Sequence, residues 1–363
     1  MIRMFDYQRL LPELEEAVVQ AIRTVLHSGR LIHGPETAAF EKRLPESLGA
    51  AHSVGVASGT VALHLALRAL DVGPGDEVIT VANTCVPTIS AIRLCGAVPV
   101  LVDVEPDTLM MDSAKVASAI TDQTRCILPV HLWGNAVDMD AICEIASAHD
   151  LPIIEDCAQA QGTYIRDQHV GTFGNLACFS FYPTKNLGAY GDAGAVVTSD
   201  IELADRCRRL RMYGYDGNGI AQEDGMNGRI AEFQSAILNL KLDRLAVWIA
   251  QRRSIGSRYS NELVNPRIKI PTVSPVVRHA YHQFVLRCPD RDALQAHLEE
   301  HKIQSAIHYP VPIHHMPAYQ GTVVLPGTMT HTESAAKEIL SIPVHESLTE
   351  DEVLDVLSAL NNF

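Results

Sequence analysis

Two side chains that could bind or react with a cofactor, an amine and a carboxylate, each follow a short apolar segment of the sequence. Lys185 follows a short apolar segment, 177–181, and precedes a loop that contains several glycines. Most lysines are solvated at the surface, but a lysine removed from water has a lowered pKa and can form a Schiff base with a carbonyl compound. Asp156 follows a second apolar segment, 152–154, where a carboxylate either pairs with another protein group or binds a protonated ring nitrogen. The two residues indicate a carbonyl cofactor with a basic ring, provided that the fold brings them together.

Further positions offer polar groups to the same cofactor. Ser58-Gly59-Thr60 begins a predicted helix, where free backbone N–H groups bind phosphate, although this pattern is also typical of an ordinary helix cap. Ser180 offers a hydroxyl at the end of the segment before Lys185, and Gln159 lies about one helical turn after Asp156. A phosphate site, a ring-nitrogen carboxylate, a donor to the ring oxygen and an amine are together the groups that pyridoxal phosphate (PLP) requires.

Short strands that alternate with helices must position these groups. The strands are continuous and rich in valine and isoleucine, which is typical of parallel strands covered on both faces; they are predicted at 77–81, 98–102, 126–130, 152–155, 177–181 and 195–198. The alternation predicts an α/β fold with a mostly parallel central sheet, in which ligands bind beyond the carboxyl ends of the strands. A dinucleotide-binding dehydrogenase would instead need its glycine motif after the first strand, whereas Gly188, Gly191 and Gly194 follow the lysine.

The length of the chain predicts more than one domain. A chain of 363 residues exceeds one ordinary core, so we expect a large domain and a smaller one. A long helix is expected over 230–263, and three prolines within 266–275 indicate a connecting segment after it. The expected large domain spans 1–250 and includes a helical N-terminal segment, and the expected small α+β domain spans 251–363.

The composition argues against several other classes of protein. Lys and Arg number 29 against 43 Asp and Glu, a net charge of −14, so nucleic-acid binding is not expected. The 8 cysteines form no C-x-x-C pair, which favours reduced thiols in a cytoplasmic protein over zinc ligands or disulfides. No segment predicts a signal peptide or a membrane span. His279, His282, His314 and His315 lie close in the sequence, but no acidic residue stands at metal-site spacing from them, so no metal is expected.

Longer motifs surround the candidate residues. In one-letter code they are VASGT at 56–60, GPGDEVI at 73–79, PVHLWG at 129–134, EDCAQA at 155–160, FSFYPTKNLG at 179–188, NGR at 227–229 and HYP at 308–310. With these motifs the sequence resembles, over nearly its whole length, the DegT/StrS-type sugar aminotransferases. EDCAQA and FSFYPTKN are highly specific in combination. The resemblance implies fold type I of the PLP-dependent enzymes, with a large PLP-binding domain and a smaller C-terminal α+β domain.

The resemblance also implies a role for each residue introduced above. Lys185 matches the lysine that forms the Schiff base with PLP, and Asp156 matches the partner of the pyridine nitrogen. Gln159 matches the contact to ring oxygen O3′. The positions that match phosphate contacts are Gly59, Thr60 and Ser180.

Other matched positions concern the partner subunit and the substrate. Asn227 matches an asparagine that reaches the cofactor phosphate of the neighbouring subunit, which implies a homodimer with active sites at the interface. Arg229 is a candidate for contact with an anionic group of the substrate. His308 and Tyr309 match a loop that lines the sugar site.

Three positions depart from the family pattern. Cys85, a candidate cofactor-binding residue, stands where an aromatic side chain usually stacks on the ring. Ala193 replaces a glycine of the usual GDGG run, and the segment 227–232 lacks the usual Met-Asp. The first departure leaves open what covers the ring, and the last affects the details of substrate binding.

The activity implied by the resemblance is transamination. An amino acid, expected to be L-glutamate, would donate its amino group to a keto sugar, expected to be nucleotide-linked, for the amino sugars of polysaccharides or secondary metabolites. The alternatives are a PLP-dependent sugar dehydratase or keto-cyclitol aminotransferase of the same fold, and a non-catalytic PLP-binding regulator. The dehydratases carry histidine in place of the lysine, so Lys185 favours transamination, and an intact set of Lys185, Asp156 and Gln159 argues against a regulator.

Overall fold

A computed structural model describes residues 1–363. Its α-helices are α1 (Tyr7–Ser28), α2 (Pro35–Leu48), α3 (Gly59–Ala69), α4 (Val86–Leu94), α5 (Ser113–Ala119), α6 (Met139–Ala148), α7 (Ile201–Leu210), α8 (Glu232–Glu262), α9 (Arg291–Glu300), α10 (Thr330–Glu338) and α11 (Glu350–Asn361). Its strands are β1 (His52–Val56), β2 (Glu77–Val81), β3 (Val98–Val102), β4 (Thr124–Ile127), β5 (Ile154–Asp156), β6 (Tyr164–Ile165), β7 (Gln168–His169), β8 (Leu176–Ser180), β9 (Gly194–Thr198), β10 (Val277–Arg278), β11 (Phe284–Arg287) and β12 (Ile339–Ile342).

Seven strands form the central sheet in the order β1-β9-β8-β5-β4-β2-β3. The groups β1-β9-β8-β5 and β4-β2-β3 meet through the parallel bridges Ile127 to Ile153 and Val130 to Asp156. Strand β9 pairs antiparallel with both β1 and β8, and the other neighbours in the sheet are parallel. The expected α/β class with a mostly parallel sheet is therefore confirmed.

Two hydrophobic cores hold the elements together. The larger core, of 63 buried residues, lies between the central sheet and the helices packed on it. The second core, of 17 buried residues, joins the antiparallel pair β11–β12 to α9 and α11. Helix α8 contributes Leu238 to the first core and Tyr259 to the second. The boundary expected between residues 250 and 251 lies inside this helix, and the division into 1–250 and 251–363 stays a prediction.

The structure adds elements that the apolar pattern did not predict. The six expected strands are present with shifts of a few residues, whereas α10 and the strands β1, β6, β7, β10 and β12 were not predicted as elements. Strand β1 has the sequence HSVGV, in which a glycine interrupts a short run, and it lies at the edge of the sheet. All 8 cysteines are free thiols. None of the helices combines the length and the apolar content needed to cross a membrane.

Candidate active site

A cavity of about 340 Å³ lies where the carboxyl ends of β4, β5 and β8 meet the start of α3. This is the position in an α/β sheet where ligands are expected. The structure brings nine of the predicted site residues together around it: Gly59, Thr60, Cys85, Asp156, Gln159, Ser180, Lys185, His308 and Tyr309. The other two, Asn227 and Arg229, are not part of its lining.

Lys185 lies in the connection between β8 and β9, and its half-buried side chain lines the cavity. Burial lowers the pKa of Lys185 to about 8, against the opposing effects of Cys85 and Asp156. About a tenth of the amine is therefore neutral at pH 7, a far larger fraction than for a solvated lysine. This neutral fraction is the nucleophilic form of the amine that covalent and acid–base chemistry require.

Contacts from other elements fix the loop that carries the lysine. The Nζ of Lys241, in α8, donates to the Gly188 carbonyl across 2.7 Å, and the Nδ2 of Asn186 donates to the Ala280 carbonyl across 3.2 Å. A side chain on Gly188 would collide with the Pro183 carbonyl, so only glycine allows this turn. The backbone on both sides of Lys185 is consequently held in place.

Asp156 ends β5 and is 4% exposed. Its Oδ2 accepts a hydrogen bond from the Thr88 hydroxyl across 2.9 Å, and its Oδ1 accepts from the Ala158 N–H across 3.1 Å. Burial raises the pKa of Asp156 despite these donors and the nearby charge of Lys185. No lysine, arginine or histidine forms an ion pair with it, so the carboxylate is a buried anion that lacks a cationic partner.

The start of α3 forms a cradle suited to phosphate. The Ser58 hydroxyl caps the helix, and the backbone N–H groups of Gly59 and Thr60 belong to the first turn, which has no acceptors within the helix. A Cβ on Gly59 would lie 2.8 Å from the Ser180 Cβ, and a Cβ on Gly194 would lie 2.5 Å from the Ser58 carbonyl. The two glycines therefore allow β8, β9 and the helix to converge, and the cradle combines backbone N–H groups with the hydroxyls of Thr60 and Ser180.

Gln159 is oriented by two hydrogen bonds. Its Oε1 accepts from the Trp133 N–H across 2.7 Å, and its Nε2 donates to the Tyr309 hydroxyl across 3.1 Å. Because the backbone donor fixes the oxygen, the amide nitrogen is directed towards the side of the cavity where Tyr309 lies. The second N–H of this amide is the group that the predicted contact to a ring oxygen requires.

Cys85 precedes α4 and is half-buried in the cavity wall. Burial, together with the charge and hydrogen bond of Cys85, raises the pKa of Tyr309. The aromatic side chain that contacts Cys85 is therefore Tyr309, which comes from a distant part of the chain.

His131 and Glu155 form a buried pair beside the site, and both side chains are 0% exposed. The Nε2 of His131 lies 3.0 Å from Glu155, and its Nδ1 accepts from the Val137 N–H across 3.2 Å, an arrangement that requires a neutral imidazole. Glu155 also accepts three backbone N–H bonds from the loop 171–174. Burial raises the pKa of Glu155, but His131 and these N–H groups outweigh it and hold the pKa below its ordinary value. The pair anchors the loop and has no group left to act on a ligand.

Several residues of the cavity wall were not predicted from the sequence to contact the cofactor or the substrate. Among them are Thr88, His282 and Gln283. Thr88 stands 68 positions before the carboxylate it supports, and nothing in its local sequence indicates that contact. His282 stood out in the sequence only as a candidate metal ligand, because its place beside Lys185 depends on the tertiary packing.

Asn227 and Arg229 lie on a segment fastened beside the start of α3. The Ala57 N–H donates to the Gly228 carbonyl across 2.8 Å. Asn227 is exposed, and its Oδ1 accepts from the Nε of Arg229 across 2.9 Å, while the Arg229 guanidinium lies 5.5 Å from the centre of the Tyr213 ring. Neither side chain lines the cavity of its own subunit.

The reason for expecting no metal at the later histidines is wrong. Glu333, in α10, lies 3.1 Å from the Nε2 of His314 and 3.2 Å from that of His315. The sequence showed no acidic neighbour because α10 was not predicted and its carboxylate approaches through tertiary packing. Both Nε2 atoms share the Oε1 of Glu333, whereas the buried Nδ1 of His314 has no hydrogen-bond partner. The absence of a metal stays a prediction.

The cavity fits PLP. The unpaired carboxylate of Asp156 matches a protonated ring nitrogen, the amine of Lys185 matches the cofactor's carbonyl carbon, and the glycine-lined cradle at the start of α3 matches its phosphate. The fold and the site together define a PLP-dependent aminotransferase.

Comparison with known proteins gives the family. Residues 12–361 match the DegT/DnrJ/EryC1/StrS aminotransferase family, and the chain belongs to it. This confirms the resemblance drawn from the motifs, and with it PLP as the cofactor.

Similar proteins match along almost their whole length. The "Erythromycin biosynthesis sensory transduction protein EryC1" of Saccharopolyspora erythraea is 44% identical over 99% of this chain and 98% of its own. The "dTDP-3-amino-3,4,6-trideoxy-alpha-D-glucose transaminase" of Streptomyces venezuelae is 40% identical over 100% of this chain and 96% of its own. Among solved structures, S. venezuelae DesV in complex with a ketimine intermediate superposes with a TM-score of 0.95 and 41% identity, covering 98% of this chain and 96% of that one.

Proposed function

We propose that this enzyme transfers the amino group of L-glutamate to the carbonyl carbon of a nucleotide-linked keto sugar, in the biosynthesis of amino sugars. The observation that carries the proposal is the pairing, in one cavity, of the Lys185 amine with the buried Asp156 carboxylate that has no cationic partner. The name of the S. venezuelae relative, a transaminase of a dTDP-linked amino sugar, supports a nucleotide-linked acceptor.

The chain's own groups divide the work of transamination. When bound, PLP supplies a carbonyl carbon for amine exchange and an electron-withdrawing ring that acidifies the substrate's α-carbon. Lys185 Nζ is the group that would accept the proton from that carbon and deliver it to the cofactor's carbonyl carbon, since its lowered pKa leaves it part neutral near pH 7. Asp156 Oδ1 and Oδ2 hold the proton on the ring nitrogen, and Thr88 orients this carboxylate.

The remaining contacts position the cofactor. The N–H groups of Gly59 and Thr60 and the hydroxyl of Ser180 bind the phosphate, because the start of a helix carries unpaired N–H groups and a partial positive charge. Gln159 Nε2 donates to the ring oxygen. Cys85 contacts the cofactor ring from the wall that it shares with Tyr309.

The active unit in this proposal is a homodimer. Asn227 is exposed and lies outside its own cavity, yet its segment is fastened beside the phosphate cradle at the edge of the site. In the dimer, Asn227 reaches the phosphate site of the partner subunit, and Arg229 binds an anionic group of the substrate. His308 and Tyr309 line the acceptor's part of the cavity. The cytoplasmic location expected from the free thiols stays a prediction.

Two alternative activities of the same fold can each be distinguished from the proposed one. A sugar dehydratase of this fold would carry histidine at position 185, which is lysine here. A keto-cyclitol acceptor would use the same residues and is separated from a keto sugar only by assay. The name of the S. erythraea relative favours a third candidate, a PLP-binding regulator without catalysis, although Lys185, Asp156 and Gln159 are all present in the cavity.

One assay separates these candidates. The PLP-loaded enzyme is incubated with glutamate and a panel of dTDP- and UDP-linked keto sugars and keto-cyclitols, and 2-oxoglutarate and the aminated product are measured by mass spectrometry. We expect glutamate alone to bleach the cofactor's absorbance band, and one class of nucleotide-linked keto sugar to restore it with release of the amino sugar. Lys185→Ala, loaded in the same way, is the negative control. A bound cofactor that is inert to every amino donor would support the regulator, and transfer only to keto-cyclitols would overturn the sugar acceptor.

A further inference from the structure

Two polar side chains in the wall of the active-site cavity have no hydrogen-bond partner. His282 and Gln283 are 8% and 9% exposed, and both line the cavity that contains Lys185. The Nδ1 of His282 and the Oε1 of Gln283 are buried and unpaired. Buried polar groups in folded proteins are almost always paired, and an unpaired one destabilises the fold. A ligand that enters the cavity is therefore the expected partner of these two atoms.

The backbone holds both side chains in place. The Ala280 N–H donates to the Gly134 carbonyl across 2.9 Å, and the Gln283 N–H donates to the Trp133 carbonyl across 3.1 Å. Gly134 has a φ of 94°, and a Cβ there would lie 2.9 Å from the His282 backbone nitrogen. Only glycine permits this close approach. The segment that carries the two side chains is thus attached to the loop after β4, the same loop that orients Gln159.

This wall of the cavity is polar but uncharged. Burial, followed by the positive charges of Lys185 and Arg252, holds the pKa of His282 well below its ordinary value. Burial and Lys185 lower the pKa of the neighbouring His308 to about 4, and its Nδ1 lies 2.9 Å from the Ser341 hydroxyl. Both imidazoles are therefore neutral at pH 7, and the amide of Gln283 carries no charge.

The chemistry of this wall selects its ligand. Unlike the cradle at the start of α3, this wall offers a carboxylate or phosphate neither a helix N-terminus nor an arginine of its own subunit, since no arginine of the chain lines the cavity. A hydroxyl group is both a donor and an acceptor: it donates to the Oε1 of Gln283 and accepts from the N–H of a neutral His282. Glutamate carries no hydroxyl. The acceptor carries hydroxyls on its keto sugar ring and on its nucleotide, and those of the sugar ring lie nearest to the carbonyl carbon that must approach Lys185, which His282 adjoins.

We propose that His282 and Gln283 form a subsite for a hydroxyl of the acceptor's sugar ring and so help to determine which keto sugar is aminated. The inference rests on the proposed function and adds to it the pair of residues that discriminates between acceptors. A site built to pair with a hydroxyl rejects an analogue that lacks it, because the protein's polar atoms are then left unpaired.

The test compares an accepted keto sugar with analogues that each lack one ring hydroxyl. We expect the wild type to lose at least about tenfold in kcat/KM for one of these analogues. In His282→Leu the kcat/KM values for the two substrates should differ by no more than about threefold, because the hydroxyl no longer has its partner. His282→Asn, whose amide nitrogen stands near the former Nδ1, retains part of the discrimination. Gln283→Met, which keeps the length of the side chain, shifts the ratio in the same direction as His282→Leu.

The outcomes separate this inference from the function on which it rests. If the wild type aminates no nucleotide-linked keto sugar, both fail. If the wild type is active but folded His282→Leu and Gln283→Met lower kcat/KM equally for the hydroxylated and the deoxy acceptors, the proposed function stands and the subsite is wrong. Thermal unfolding and the cofactor's absorbance band confirm that each variant is folded and loaded before the ratio is measured.

Discussion

The Nε2 of Gln159 donates a hydrogen bond to the hydroxyl of Tyr309 across 3.1 Å, which joins two residues 150 positions apart. The same glutamine accepts from the Trp133 N–H, and the indole N–H of Trp133 donates to the His308 carbonyl across 3.1 Å. These three bonds link the loops after β4 and β5 to the segment that carries His308 and Tyr309. The side chains on this side of the cavity are therefore coupled to one another, and the loss of any one of these hydrogen bonds should change the positions of the others.

Replacing Tyr309 by phenylalanine tests that unit. Tyr309→Phe keeps the ring against Cys85 but leaves the Nε2 of Gln159 without its protein partner. We expect KM for the keto acceptor to rise about tenfold, with a smaller change for glutamate, since one buried hydrogen bond is lost. Steady-state kinetics with each substrate varied in turn measures the split, and an equal rise for both would contradict this role.

Lys185→Ala should abolish covalent attachment of the cofactor while leaving the fold intact. The side chain lines a cavity and makes no ion pair that the fold requires. After borohydride reduction, intact-mass analysis should find the cofactor attached to the wild type and not to the variant. Turnover should fall by at least about 1,000-fold, because both the attachment point and the proton-transfer group are lost. Transamination at the native rate by the variant would show that Lys185 has been assigned the wrong role.

The lowered pKa of Lys185 predicts how its reactivity depends on pH. The cofactor-free enzyme binds PLP covalently through the neutral amine, and this form increases as pH rises through the pKa of about 8. The rate of attachment should therefore rise about tenfold per pH unit below pH 8 and level off above it, whereas a solvated lysine would continue to gain until about pH 10.4. Stopped-flow absorbance from pH 6 to 10 measures this rate. A midpoint near that of a solvated lysine would show that the amine is not desolvated.

The adjacent carboxylates Glu155 and Asp156 of the EDCAQA motif should have opposite effects on the stability of the protein. In the cofactor-free protein the pKa of Asp156 is raised by burial, so its charge reduces stability above that pKa, and Asp156→Asn should unfold no more easily than the wild type. The pKa of Glu155 is lowered, so its charge contributes stability that is present near neutral pH and lost as pH falls. Glu155→Gln should lower the free energy of unfolding by about 3 kcal/mol, because it breaks a buried charged network.

Activity completes this comparison. Asp156→Asn should lose at least about 100-fold in kcat, since the ring nitrogen no longer has an anionic partner. Denaturant unfolding of the cofactor-free variants and kinetics of the loaded ones measure the two effects separately. An unfolding free energy equal to that of the wild type in Glu155→Gln would show that the loop at 171–174 does not depend on this carboxylate.

The sequence predicted those parts of the site that follow from strand ends and from long motifs. Asp156 and Ser180 each end a strand whose apolar run is evident in the sequence, and the cradle begins a helix with a clear cap. Thr88 and His282 could not be found in this way, because their roles arise where separate elements pack together. Glu333 approaches His314 for the same reason, and no local pattern records it.

The direction of β9 could not be predicted from the sequence, for a related reason. Its run of small and β-branched residues is fully buried, as a parallel strand's would be, and its antiparallel pairing with β1 and β8 depends on the connection that carries Lys185. A strand's apolar content indicates that it is buried but does not indicate which way it runs.

Mixing two inactive variants tests whether the dimer shares its sites. If Asn227 completes the phosphate site of the partner subunit, Lys185→Ala and Asn227→Asp dimers are each defective in both sites. In a hybrid of the two, one site combines the native lysine of one subunit with the native asparagine of the other. After equal mixing and subunit exchange, activity should recover to about a quarter of the wild-type value, since half of the dimers are hybrids and half of their sites are complete. Recovery is measured with glutamate and an accepted keto sugar.

The same mixture prepared with Asp156→Asn in place of Asn227→Asp is the matched control and should recover nothing, because Asp156 and Lys185 line one cavity of one subunit. No recovery with Asn227→Asp, in a mixture shown by mass spectrometry to contain hybrids, would contradict a shared site.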